Sequence, residues 1–338
     1  MPSPSSPSRR RPRTRRPPAR SPWRRFRVAQ KRAPLLGALT VLALTLIAVA
    51  VMAAGRPAGP RPAGAGSAAA GIEPAGGTPV NPSAFAVGAC VAYPPTRGDN
   101  HHTVFLDAGH GGLDPGSVGV TESGHTIYEA DETLPVELDA AALLRSAGFR
   151  VVVSRTDSGS GAVARLGPAD VSGRLLTAAG VHADVAARAI CANDAHAQAL
   201  IGIYFDAGAP NNAGSVTGWD AARRFASANL RLATLVQDDT LAAMNAQGWQ
   251  IPSEGVQLDS GLGSAISSAA ETYGHLLELG PAKAGYFSTP SEMPGAVIEP
   301  LFITDPFEGS IANSTRGQRV IASGIATAVE QFFRVGRN

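Results

Sequence analysis

Residues Thr103 to Gly119 read TVFLDAGHGGLDPGSVG. Val104, Phe105 and Leu106 form a short apolar run of the kind that makes a buried strand. Asp107-Ala-Gly-His110-Gly-Gly-Leu-Asp114-Pro-Gly116 follows without a break. A strand that runs into a glycine-lined loop with one His places an imidazole at the mouth of a sheet. The flanking glycines let the backbone turn with φ > 0 and leave room beside the ring. Asp107 and Asp114 suit loop-fixing hydrogen bonds better than chemistry.

Outward from this loop the chain alternates helices and strands. Glu122 to Glu129 is polar and turn-like. Glu132 to Ala147 is helical, with Leu134, Leu138, Ala141 and Leu144 on one stripe. Pro135 places its start at Glu132 or Thr133, and Gly148 ends it. Arg150 to Ser154 is the next strand, which completes a β–α–β unit with parallel strands and a right-handed crossover. Residues 158–180 read as irregular surface, and His182 to His196 as a helix carrying Arg188, Cys191 and Asn193. Ala199 to Phe205 is a third strand, 218–247 a long helix, and His275 to Gly280 and Gly295 to Ile303 further strands. Glu299 lies in the last of these, between Ile298 and Pro300. Gly317 to Phe333 closes the chain as a helix with Val320, Ile321, Ile325, Val329 and Phe332 at helical spacing. The expected fold is a three-layer α/β/α domain with a mostly parallel sheet.

The N-terminal quarter is different in kind. Residues 1–32 hold 12 of the 29 Lys/Arg and no acid, which makes them a disordered basic arm. Residues 33–55 carry no charge and are long enough for a single transmembrane helix. The basic arm puts the N-terminus in the cytoplasm and the remainder outside. The span serves as an uncleaved anchor, or is removed by a signal peptidase at the small residues Ala50–Ala54, with secretion as the result. Residues 56–83 are a Gly/Ala/Pro-rich linker, and 84–338 are one catalytic-sized domain. Beyond the arm 17 basic residues face 27 acids, so the outer part is not built to grip nucleic acid. The cysteines are Cys90 and Cys191 alone. In an oxidising exterior they suggest one disulfide, with two separate buried thiols as the alternative; without a CxxC spacing they are poor zinc ligands.

These pieces together resemble the type-3 amidase family, the zinc-dependent N-acetylmuramoyl-L-alanine amidases of bacterial cell-wall turnover. The resemblance runs over most of Val104 to Phe333. It rests on FLDAGHGGLDPGSVG, Glu129, VVVSRTD, Arg188 with Asn193, and AVIEPLFITDP containing Glu299. It implies that His110 and Glu129 bind zinc and that Glu299 is the catalytic acid/base. The family's third ligand is a His on the strand that usually reads SIHxN; here the segment is Gly202-Ile-Tyr204-Phe-Asp206, and Tyr204 stands in its place. Catalytic zinc usually keeps three protein ligands. A tyrosinate can serve if the metal draws down a phenol pKa of about 10. His101, His102, His125 and Asp206 are the other side chains close enough in sequence to substitute.

The reaction the resemblance implies is hydrolysis of the amide between N-acetylmuramic acid and the L-alanine of the stem peptide, in peptidoglycan. Zinc would polarise the carbonyl and acidify water, and Glu299 would carry the proton to the leaving amine. A carboxylate paired with Arg188 is the structural alternative for Glu299. At the level of the whole protein, the alternative is a non-catalytic, membrane-tethered wall-binding or regulatory protein on the same scaffold, for which Tyr204 is the argument.

Overall fold

The computed structural model describes residues 76–157, 162–262 and 273–334. In chain order the strands are β1 (Thr78–Pro79), β2 (Ala89–Tyr93), β3 (Thr103–Ala108), β4 (Val118–Val120), β5 (Thr126–Tyr128), β6 (Arg150–Arg155), β7 (Val171–Ser172), β8 (Leu175–Leu176), β9 (Ala199–Ile203), β10 (Ser215–Trp219), β11 (Ser253–Leu258) and β12 (Gly295–Glu299). The helices are α1 (Glu129–Ser146), α2 (Ala178–Asp194), α3 (Ala226–Asn245), α4 (Pro306–Ala312) and α5 (Thr315–Arg334).

Eight strands make one sheet in the order β1-β2-β6-β3-β9-β12-β10-β11. The central four, β6-β3-β9-β12, are parallel, as βα crossovers require. β2 joins β6 antiparallel, β10 joins β12 antiparallel, and β11 lies parallel to β10 at the edge. The apolar runs are continuous because both faces are covered. Val104, Leu106, Val151, Val153, Ile201 and Ile298 point to one side, into a core shared with α1, α3 and α5. Phe105, Val152, Leu200 and Val297 point to the other, against α2 and the loops around Phe85 and Met293. Three layers result, as the alternation of elements predicts.

Several local expectations shift. α1 begins at Glu129, and Pro135 lies inside it. The first turn is held from outside: Glu129 N donates to Ser117 O and Ala130 N to Pro115 O. Glu129, Asp131 and Glu132 also suit the positive end of the helix. The polar stretch before it is a hairpin, β4 with β5. α2 starts at Ala178, four residues early, because Thr177 Oγ1 accepts from Gly180 N (3.1 Å). The long helix expected over 218–247 is interrupted at its start. Ser215–Trp219 pairs into the sheet, Asp220 turns the chain, and α3 begins at Ala226. Residues 275–280 form turns, with Leu279 N and Gly280 N donating to Leu276 O, and Leu276 N donates to Asp259 Oδ2 in place of a neighbouring strand.

Cys90 and Cys191 are bonded, Cα atoms 5.7 Å apart, and tie β2 to α2. β1 falls within the stretch read as linker. The basic arm and the apolar span over 33–55 lie outside the described residues. Among the described residues no helix is long and apolar enough to cross a membrane.

Candidate active site

The site is built at the C-terminal ends of β3, β9 and β12. β3 leads straight into the His110 loop. His110 itself has φ +60, a conformation a side chain seldom adopts. The loop is closed by Gly111 N to Asp114 O (2.7 Å) and Asp114 N to Gly111 O (2.9 Å). Gly109 has no substitute here: a Cβ on it would stand 2.3 Å from the Tyr204 ring.

Arg188 braces the loop from below. It is fully buried on α2; Nη1 donates to Asp107 Oδ1 (2.5 Å) and Ala108 O (2.8 Å), and Nη2 to His110 O and Asp184 Oδ2 (both 2.8 Å). Its charge is spent on Asp107 and Asp184, and Glu299 is not among its bonded partners.

The His110 ring is held at both nitrogens. Nδ1 lies 2.9 Å from Asp114 Oδ2, and Nε2 lies 3.1 Å from Glu129 Oε1. Glu129 is buried and oriented by backbone donors, Phe205 N to Oε1 and Ser117 N to Oε2, both 2.9 Å. Those bonds and the His110 charge hold the Glu129 carboxyl below its usual range although burial opposes this. Burial also opposes charge on His110, but Glu129 and Asp114 outweigh it and push the imidazole up to about 10.

Glu299 ends β12 and is 7% exposed. Burial and the nearby charges of Asp206 and Glu129 push its carboxyl well above the usual range, and a side-chain hydrogen bond joins it to Asp206. His110, Glu129 and Glu299, separated by up to 189 positions in the sequence, therefore meet in one corner. His110, Tyr204 and Glu299 line a single cavity, together with Glu278 and His275.

Tyr204 does not offer its hydroxyl to this corner. Its ring stands edge-on to His110, centroids 5.3 Å apart. The hydroxyl donates to Glu278 Oε1 (2.5 Å), with Asp107 Oδ2 at 3.3 Å. Burial and those two carboxylates push the phenol well above 10. Of the other candidates, His101 is exposed and His102 stacks on Phe333 (4.3 Å), both at the N-terminal end of β3, away from His110. His125 is exposed in the β4–β5 turn. Asp206 is at the site, bonded to Glu299 and within electrostatic reach of Glu129. Glu278 was not foreseen: no motif surrounds it, and its segment reads as an ordinary strand.

The pattern described as N-acetylmuramoyl-L-alanine amidase (Amidase_3) matches residues 104–331, which include His110, Glu129, Arg188, Tyr204, Asp206, Glu278 and Glu299. Among solved structures, the CwlD amidase of Clostridioides difficile, determined in complex with the GerS lipoprotein, is 18% identical, with a TM-score of 0.51 over 70% of this chain and 100% of that one. An N-acetylmuramoyl-L-alanine amidase from Clostridium difficile 630 is 23% identical, with a TM-score of 0.48 over 70% of this chain and 98% of that one. AmiC2 of Nostoc punctiforme is 19% identical, with a TM-score of 0.47 over 70% and 99%. No curated protein matches the chain. The first of these structures supports the fold, and the match over 104–331 takes in well over half of the 338 residues. On that ground the chain belongs to the N-acetylmuramoyl-L-alanine amidase family.

Proposed function

We propose that this chain hydrolyses the amide joining N-acetylmuramic acid to L-alanine in peptidoglycan, with zinc held by His110 and Glu129 and with Glu299 as the acid/base. The observation that carries it is the His110–Glu129 contact. With Asp114 accepting from Nδ1–H, the Nε2–H of the imidazolium donates to Glu129 Oε1 at 3.1 Å, and a zinc ion would replace that proton between nitrogen and carboxylate. An imidazole oriented by a carboxylate on its far nitrogen, with a second carboxylate beside the near one, is the usual arrangement of a zinc ligand. The donor set fits zinc at these two positions. It does not fit at Tyr204, whose proton is committed to Glu278 and Asp107. Asp206 is the carboxylate placed to complete the set.

Bound zinc would polarise the scissile carbonyl and acidify water. The chain's own residues do the rest. Glu299, whose burial raises its affinity for a proton and which shares a hydrogen bond with Asp206, would as its carboxylate take the proton of the attacking water and hand it to the leaving nitrogen. Glu129, fixed by two backbone donors, stays ionised beside it. Glu129 is thereby kept as a charged ligand and Glu299 as the group that carries the proton. Leu276, Leu277 and Val297 line the cavity and give it apolar walls.

The enzyme would act outside the cytoplasm, carried there by the apolar segment 33–55 as anchor or as cleaved leader. The Cys90–Cys191 bond suits that compartment. The test is digestion of purified sacculi with zinc-loaded full chain. Release of peptides with a free L-alanine amino terminus is expected, and His110→Ala should abolish it. A metal-free protein that binds wall fragments and releases nothing would mean the non-catalytic wall-binding role.

A further inference from the structure

We propose that Asp220, Asp259 and His275 form a second metal site, for a divalent first-row transition ion of the zinc class, that fastens the cavity wall at 273–280 to the ends of β10 and β11.

The topology brings the two acids together. β10 and β11 are parallel, and Trp219 is the partner of Leu258, so Asp220 and Asp259 leave the two strands side by side. Both are buried, at 0% and 1% exposure. His275 comes from a separate segment and places Nδ1 2.7 Å from Asp220 Oδ2 and 3.5 Å from Asp259 Oδ2. One ligand atom from each of the three lies within 4.8 Å of the other two.

The remaining bonds do not satisfy this group. Asp220 Oδ1 accepts from Ala222 N, Asp259 Oδ1 from Ser260 N, and Asp259 Oδ2 from Leu276 N. Asp220 Oδ2 and His275 Nδ1 are buried and aimed at each other, yet neither makes a hydrogen bond. Arg223 is within electrostatic reach of Asp220, but its guanidinium bonds the carbonyls of Leu279, Gly280 and Ser291. The Tyr273 ring stands edge-on to His275, and its hydroxyl donates to Pro281 O. Two buried carboxylates thus face one imidazole. Even as imidazolium it leaves one charge over, and an uncompensated buried charge is costly. A divalent ion removes it.

One nitrogen and two carboxylate donors suit zinc and its neighbours; magnesium and calcium prefer oxygen alone. His275 keeps 27% of its side chain exposed and lines the same cavity as His110 and Glu299, so an ion can enter from there. The site's role is mechanical. It holds the segment from which Leu276, Leu277 and Glu278 line the cavity that Glu299 also lines. It stands whether or not the chain hydrolyses anything.

The experiment strips the full chain of metal, re-equilibrates it with zinc, and counts bound ions by mass spectrometry in His110→Ala, which removes a ligand of the first site. One ion per chain should remain, zinc should raise the Tm of that variant, and cobalt(II) should give a visible spectrum in it. Adding Asp220→Asn with Asp259→Asn should abolish the ion, the Tm shift and the spectrum. If His110→Ala takes up no zinc and its Tm does not move, the three residues are an ion pair only and the proposal is wrong. Retention of the ion after the two Asp→Asn changes overturns it equally. Should the combined variant fail to fold, His275→Gln in the same background reads the same loss.

Discussion

Two corners of the sheet set a histidine between acids at the ends of parallel strands, and they are stabilised in different ways. At β3, β9 and β12 the acids that touch His110 are supplied with donors. Glu129 takes two backbone N–H groups, Asp114 takes Gly116 N, and the loop beneath is clamped by Arg188. At β10 and β11, Asp220 Oδ2 has no donor at all. The first corner is pre-organised by hydrogen bonds from the backbone and from Arg188, as the proposed reaction would require. The second leaves its surplus negative charge for something else to neutralise. The proposals made above assign chemistry to the one and attachment to the other.

The sharpest break is Glu299→Gln. The amide still reaches Asp206 but cannot transfer a proton. Release of peptide from sacculi should fall by about 10²- to 10⁴-fold, the usual worth of a positioned acid/base, with zinc content unchanged. A loss under about tenfold would place the proton transfer on another residue.

The disulfide belongs to the first corner only. It closes a loop of 101 residues that holds β3, the His110 loop, α1 and β6, and it fixes the helix that carries Arg188. Replacing both Cys90 and Cys191 by Ser should lower stability by about 2–5 kcal/mol in urea titration. A change under about 1 kcal/mol would show that Arg188 is held by its buried ion pairs alone.

Tyr204 connects the corners, because its phenol bonds Asp107 under the first and Glu278 on the wall that the second holds. Tyr204→Phe should cost about 1–3 kcal/mol by leaving buried carboxylate oxygens without a donor, and zinc uptake should not change. Loss of zinc in this variant would reinstate Tyr204 as a ligand.

The same contrast explains what could be read in the sequence. The first corner is written nearly contiguously: an apolar triplet, a glycine-framed His and two acids stand within a few residues, and the strands that meet it are unbroken apolar runs. Glu129 and Glu299 were legible through the family resemblance; residue pattern alone left Glu129 in the turn before the helix. The central layers followed from period alone. β10 was not legible, because Ser215–Trp219 is half polar and runs on into a helical pattern; with it went the reason to set Asp220 beside Asp259. His275 and Glu278 sit in turns that exist because Asp259 Oδ2 takes the Leu276 N–H, a bond no local pattern announces. The direction of the Tyr204 hydroxyl was equally hidden, since it depends on a carboxylate 74 residues away.

The smallest predicted effect tests the seam between the corners. Glu308, on α4, accepts from Phe302 N (2.7 Å) and Gly214 N (3.2 Å), so one carboxyl ties the turn after Glu299 to the start of β10. Burial pushes it up to about 7 from an ordinary value of 4.5. Its folded pKa exceeds its unfolded one, so between pH 4.5 and 7 the unfolded chain releases a proton that the folded chain keeps, and stability falls as pH rises through that window. Glu129 contributes the opposite slope, because its folded pKa is lowered. Glu308→Gln keeps an acceptor for both N–H groups and cannot ionise. At pH 8 it should be more stable than the wild type by about 1–2 kcal/mol, less than the full shift implies because the new amide N–H₂ is buried. At pH 4, where the wild-type carboxyl is protonated in both states, that advantage should vanish. An advantage that stays constant across pH would mean Glu308 is not titrating, and the seam would then hold by packing and the Phe302 bridge to Asp206 alone.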